Sequence, residues 1–170
     1  VAEINKDEVE VRTSEGVQKL GGKDLDAELL NLVKNKYEEL SGNKLQDSKF
    51  DLNDAERYKI DLSSLDEVTI FIDDISIDIT RLEFEEAISP LVDQSLMAIE
   101  SALETLELDF SDIKDVILVG GTSRVPFIQN SISELTGSTP VLFGNPDESV
   151  ALGAAIYASK KNPEYLNMNQ

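Results

Sequence analysis

Apolar and polar residues alternate at the start of the chain. Val9, Val11 and Thr13 fall on one side, with Glu8, Glu10 and Arg12 on the other, which predicts a half-buried strand. A strand around Val1–Ile4 can pair with it across the polar turn Asn5-Lys6-Asp7. Gly21-Gly22 breaks the alternation. Leu25, Leu29, Leu32, Val33 and Tyr37 then recur at helical spacing, so the pattern predicts an amphipathic helix over Asp24–Leu40, ended by Ser41-Gly42-Asn43. A short helix is predicted over Leu52–Leu62. Val68–Ile72 and Ile75–Ile79 read as two strands joined at Asp73-Asp74, a hairpin whose turn type stays open because Asp-Asp is a weaker turn than Asn-Gly. Thr80-Arg81-Leu82-Glu83 is a capping box. The helix it opens carries Phe84, Ala87, Ile88, Leu91 and Val92 on one face, and later Leu96, Ile99, Leu103 and Leu106. Pro90 lies inside that pattern and is expected to kink or divide it.

Further on, Val116–Val119 is a continuous apolar run, as expected of a central strand covered on both faces. Gly120-Gly121 ends it, Pro126 suits the first turn of a following helix, Ile128, Ile132 and Leu135 give that helix a buried stripe, and Gly137 closes it. A strand, a glycine turn and a helix start together can receive an anion, because side-chain-free backbone permits close approach and free amides point outward. The competing reading is a tight connection with no ligand, the commoner case for a bare Gly-Gly. Thr122, Ser123 and Arg124 shift the balance by adding hydroxyls and a planar cation able to stack on an aromatic base. A second turn, Gly144-Asn145-Pro146-Asp147-Glu148, leads into a predicted helix over Asp147–Ser159. Ala151, Gly153, Ala154, Ala155 and Ala158 line that helix and suit close packing against a sheet or a ligand.

The 170 residues are enough for one core, or for two small subdomains sharing a seam. With no Cys and no His, the chain has no disulfide framework, no zinc site of the usual kind and no imidazole base for a Ser-His-Asp hydrolase. The net charge of −19 opposes binding to nucleic acid or to an anionic membrane, and no apolar run approaches a membrane span. That charge is uneven. Residues 1–119 hold 30 acids and 12 bases, against four and three in residues 120–170. The nearly neutral C-terminal part is therefore the better background for an anion. The first residue is Val, and the sequence reads as an excised or processed piece.

Glu56, Lys59 and Ser63 stand at offsets of zero, three and seven, on one face of the predicted short helix. In line, a carboxylate, an ammonium and a hydroxyl could hydrogen-bond a ribose and a purine edge. On spacing alone, a surface ion pair of small worth is the commoner outcome.

Taken together, the motifs resemble the heat shock protein 70 (DnaK-type) chaperone family. The carrying segments are Leu20-Gly21-Gly22-Lys23-Asp24-Leu25-Asp26, the helix Glu56–Ser64, Thr80-Arg81 with Phe84-Glu85-Glu86, the run DVILVGGTSRVPFIQ from Asp115, and NPDESVALGAAIYA from Asn145. The resemblance implies an α/β fold: one lobe of an actin-like ATPase (ribonuclease H-like), with a mixed central sheet flanked by helices and a smaller α+β insertion subdomain. It implies a discontinuous subdomain IIA from residues 1–35 and 112–160, an insertion subdomain IIB over 36–111, and a polar tail over 161–170. It also implies that Glu56, Lys59 and Ser63 hold the ribose and adenine of ATP or ADP, and that Gly120, Gly121 and Thr122 lie under the phosphates and sugar. Arg124 would cover one adenine face and Asp147 would support the pocket. Further implications are a cytoplasmic location, a nucleotide-exchange factor on IIB, and lobe I and a peptide-binding domain as partners in the parent.

Departures from the family pattern sharpen this. Lys23 stands where the family usually has Glu, and Ile60 where some members place a second stacking Arg. The family's other phosphate loop and first lobe, which carry its magnesium-associated carboxylates and catalytic Lys, fall outside this sequence. The chain is therefore expected to hold neither catalytic nor metal-binding residues, to bind nucleotide weakly and not to hydrolyse ATP alone. Two alternatives stand beside this reading. One is a non-catalytic interaction module that keeps the lobe fold and draws a basic partner to its acidic surface. The other is a different actin-like protein, such as a sugar kinase or a filament protein.

Overall fold

In a computed structural model of the chain, residues 1–5, 9–142, 145 and 148–161 are described. The order of elements follows from local chemistry. An antiparallel pair, β1 (Ala2–Ile4) and β2 (Val9–Val11), opens the chain with Ala2 opposite Val11. Gly21 precedes α1 (Gly22–Ser41), where its amide donates to Asp24 Oδ2 at 2.8 Å. Gly42, in the left-handed region at φ 70°, ends the helix and donates its amide to the Glu38 carbonyl at 2.8 Å. Asp51 caps α2 (Leu52–Leu62) by accepting from the amides of Asn53 and Asp54.

The strands β3 (Glu67–Ile72) and β4 (Ile75–Thr80) form a hairpin with Ile72 opposite Ile75. Of the two turn residues, Asp73 alone has a positive φ, 53°, the pattern of a II′ turn, where glycine is usual. Tyr37 Oη and Lys49 Nζ both bond Asp73 Oδ2 and hold the residue there. Val68, Ile70, Ile72, Ile77 and Ile79 point inward, onto α1 and α3 (Arg81–Thr105). The main core lies here. Leu25, Leu29, Val33 and Tyr37 of α1 meet the hairpin, Ala55 and Leu62 of α2, and Phe84, Ile88 and Val92 of α3.

Arg81 explains why an arginine follows the capping threonine. Its Nε donates to the Leu62 carbonyl at 2.8 Å and its guanidinium reaches Asp66 at 3.0 Å. A cation thus closes the C-terminus of α2, while Thr80 and Glu83 cap α3 reciprocally.

Pro90 does not divide α3, which runs on to Thr105. Proline removes the bond that the Glu86 carbonyl would accept, and both residues lie on the exposed face, where water can satisfy that carbonyl. Phe84, Ile88 and Val92 hold the inner face on both sides of it.

The C-terminal part forms a βαβ unit. Strand β5 (Ile117–Leu118) pairs in parallel with β6 (Val141–Leu142), and α4 (Pro126–Thr136) makes the crossover. Here the structure corrects three expectations. The run at Val116–Val119 is not covered on both faces, because Ile117 and Val119 are 49% and 51% exposed. The first hairpin is not half-buried, since Ile4, Val9 and Val11 are all exposed. The last helix, α5 (Ser149–Lys161), does not pack closely through its small residues: Ala151, Gly153, Ala154, Ala155 and Ala158 are exposed, and an added Cβ at Gly153 would touch nothing. In each case no described element lies close enough to bury the apolar face. The alternation, the apolar run and the small-residue stripe each mark a surface able to be covered, and none supplies the cover.

Glu83 makes the junction of α1, β4 and α3 sensitive to acid. Lys36 Nζ lies 2.6 Å from its carboxylate and also donates to the Asp78 carbonyl at 2.7 Å. The Lys36 bond, followed by the Thr80 amide, holds the Glu83 pKa below its ordinary 4.5. A carboxylate with a depressed folded pKa stabilises fully above its unfolded value and loses that contribution as pH falls through the folded value. Urea unfolding should therefore show Glu83→Gln less stable than the parent near pH ~7, with the gap shrinking by about pH 3. A gap that does not change with pH would remove Glu83 from the acid response.

Candidate functional site

Helix α2 displays its polar residues according to helical geometry. Ala55 and Leu62 enter the core, while Glu56 and Ile60 remain exposed beside the buried Lys59. On the other side, the chain leaving β5 reaches Gly120, whose φ of 88° and ψ of 157° suit glycine alone. Gly121–Arg124 then form a turn of 3-10 helix. The buried Ser123 fixes this turn, with its hydroxyl donating to the Gly120 carbonyl at 2.6 Å and its own carbonyl accepting from Gln129 Nε2 at 2.8 Å. The turn commits the amides of Ser123 and Val125 to the carbonyls of Gly120 and Thr122. Pro126 follows at the first position of α4, as its missing N–H allows.

These two parts converge with the start of α1. Glu56, Lys59, Gly121, Thr122 and Arg124 line one open cleft of about 1000 Å³, together with Gly22, Lys23, Asp26 and Ile60. An adjoining cleft of about 410 Å³ is lined by Lys59, Ile60, Ser63, Gly121 and Arg124. The approach is close at Gly22. A Cβ built there would stand 3.1 Å from Thr122 Oγ1 and 3.4 Å from Lys59 Nζ, so the absent side chain lets α1 lie against both. Arg124 Nη2 donates to Asn145 Oδ1 at 3.2 Å, linking the turn after β5 to a residue that follows β6 in sequence.

Lys59 is not simply a cleft-facing donor. Its ammonium lies 2.6 Å from Asp26 Oδ1, with the two side chains 10% and 6% exposed, and it donates to the Gly22 carbonyl at 3.4 Å. Beyond this ion pair, Oδ1 accepts no hydrogen bond among the described residues. Ser63 ends α2 and turns its hydroxyl back to the Lys59 carbonyl at 3.1 Å. Gly120 supports the turn without lining either cleft. Asp147 lies outside the described residues.

Asp26 is the residue that sequence reasoning passed over. The available signal was an acid set beside Leu25 and three residues before Leu29, within the stripe that α1 buries. Burial there demands a counter-charge. The cleft as a whole is balanced, with Lys23, Lys34, Lys59 and Arg124 against Asp26, Asp47, Asp51 and Glu56. Among the described residues no cluster of carboxylates could hold a metal ion, and no helix is long and apolar enough to cross a membrane.

The fold and cleft define a mixed α/β protein in which a helical layer faces the glycine turn of a βαβ unit. The chain belongs to the Hsp70 family, whose family model, described as Hsp70 protein, matches residues 1–168. The mixed architecture agrees with the actin-like fold of that family. The chain is 37% identical to a chaperone protein DnaK of Thermus thermophilus and 34% identical to the chaperone protein dnaK of Phaeodactylum tricornutum, in each case over 93% of this chain and 28% of the relative. It is 36% identical to the chloroplastic heat shock 70 kDa protein 7 of Arabidopsis thaliana, over 93% of this chain and 24% of the relative. The chain thus spans about a quarter of the length of these relatives.

Burial of the Asp26–Lys59 pair sets its energetic behaviour. Lys59→Met should destabilise the chain by about 3–5 kcal/mol in urea unfolding, because a carboxylate is left buried without its counter-charge. The double variant Asp26→Leu/Lys59→Met should recover most of that loss. A double variant no more stable than Lys59→Met would show that the pair does not behave as a desolvated ion pair.

Proposed function

We propose that this chain is the second lobe of an Hsp70-type nucleotide-binding domain and that its cleft receives the adenosine of ATP or ADP. The observation that carries the reading is the meeting of α2 and the turn after β5 on one cleft, with Glu56 and Arg124 both in its lining. The donor set fits a nucleoside. Glu56 offers an acceptor for hydroxyls, Lys59 an ammonium and Thr122 a hydroxyl, while Ser63, whose proton goes to the Lys59 carbonyl, offers an acceptor in the adjoining cleft. The Arg124 guanidinium offers a flat face for a base. Gly121 presents backbone without a side chain, as a phosphate or ribose at close range requires.

In this reading α2, the β3–β4 hairpin and α3 belong to the insertion subdomain over 36–111, and α1 runs from the other subdomain into it, with Leu25, Leu29 and Val33 on the 1–35 side of the boundary. The β1–β2 hairpin, the βαβ unit and α5 belong to the subdomain formed by 1–35 and 112–160. The catalytic carboxylates, the magnesium they hold and the exchange factor belong to the parent. The chain alone has one wall of a two-walled site, so it binds nucleotide weakly and does not turn over ATP. Weak binding is also what mass action leaves when half of the contacts are missing.

The test is an NMR titration with adenosine. Backbone shifts should concentrate at Glu56–Ser63 and Gly120–Arg124, and Arg124→Ala or Glu56→Gln should each weaken binding about tenfold. Shifts confined to other surfaces would favour an interaction module that keeps the lobe fold. Tight, magnesium-dependent ATP binding by the chain alone would contradict the assignment to one lobe.

A further inference from the structure

We infer that Asp26 is a positioning residue for the nucleoside: it anchors the Lys59 ammonium on the α1 side of the cleft so that a remaining N–H can meet a ribose hydroxyl. This inference rests on the nucleoside reading above. Lysine carries a compact charge on a flexible stem, and an unanchored ammonium would have to be ordered by the ligand at the ligand's expense. Here it is ordered beforehand. The Asp26 carboxylate lies 2.6 Å away and the Gly22 carbonyl 3.4 Å away, and both belong to α1. An ammonium has three N–H donors, so these two partners leave at least one.

The pair is also incompletely bonded. Asp26 Oδ1 is buried, with the Lys59 ammonium 2.6 Å away and no hydrogen-bond donor from another described residue. A ligand oxygen on the cleft side would complete the ammonium's set of partners. Gly22 adds to the arrangement, since a side chain there would press on both Lys59 Nζ and Thr122 Oγ1. Asp26 thereby acts through Lys59 beside Thr122.

The experiment is an adenosine titration of the 170-residue chain and its variants by NMR, paired with thermal unfolding of each. Asp26→Glu keeps the charge but moves it by one methylene. It should melt within a few degrees of the parent while binding adenosine about tenfold more weakly. Asp26→Asn should bind at least as weakly as Asp26→Glu, and Asp26→Asn/Lys59→Met no more weakly than Lys59→Met alone, because the two residues act as one unit. Should Asp26→Asn fail to fold, Asp26→Glu decides. Parent-like affinity in Asp26→Glu, or losses that add in the double variant, would overturn the inference and leave the nucleoside reading standing. Adenosine that shifts no residue of the parent chain would overturn both.

Discussion

Two opposite charges sit between α1 and α2 where the chain can least solvate them. Taking a carboxylate and an ammonium out of water costs several kcal/mol each, and only close approach offsets it. Asp26 and Lys59 meet at 2.6 Å. That contact ties the last turn of α2 to the first turns of α1, and Gly22, one turn before Asp26, lies against Thr122 of the turn after β5. Three segments distant in sequence are thus referred to one pair of charges. Apolar residues of equal volume would hold two helices together at least as well, so cohesion alone does not account for a pair at the wall of a cleft. What an ion pair supplies and an apolar contact does not is a fixed donor.

The part of the fold that was legible in the sequence is the part that buries its own apolar faces. The spacing of Leu25, Leu29, Val33 and Tyr37, the alternation in Val68–Ile72 and the Thr80–Glu83 box each predict an element that the structure contains. Helix α2 spans Leu52–Leu62 as the pattern predicts. These signals are local, and most of the core that answers them lies between Leu25 and Val92, with Val125 joining it from just before α4. Burial further along was not legible. A period of two says that one face of a strand is apolar, not that anything covers it, and Ile4, Val9 and Val11 are exposed. Pro90 misled in the opposite direction, because the cost of a proline depends on whether the orphaned carbonyl reaches water.

The site was legible by residue type and not by arrangement. Offsets of three and seven put Glu56, Lys59 and Ser63 on one face, yet the same offsets describe any solvated helix. Nothing in spacing brings that face to Arg124, 68 positions after Glu56; the family resemblance supplied that expectation. Burial also divides the three residues. Lys59 is held in an ion pair, Ser63 bonds back to its own helix and Glu56 is exposed. Asp26 illustrates the general difficulty. A buried acid is identified by its partner, and the partner lies 33 residues away on another helix.

Electrostatics narrows what such a cleft can grip. The chain carries −19 overall, while the four acids and four bases of the cleft lining cancel. Beyond a Debye length of about 8 Å at physiological ionic strength the wider negative field is largely screened, so a ligand at the wall responds mainly to the balanced local set. A nucleoside is neutral and gains from short, directional contacts of the kind that Glu56, Lys59 and Arg124 can offer. A polyphosphate gains from net positive charge, which a balanced lining lacks. If the cleft receives a nucleotide as proposed, this lining favours the base and sugar over the phosphates. The cations needed to hold a triphosphate have to come from outside this lining.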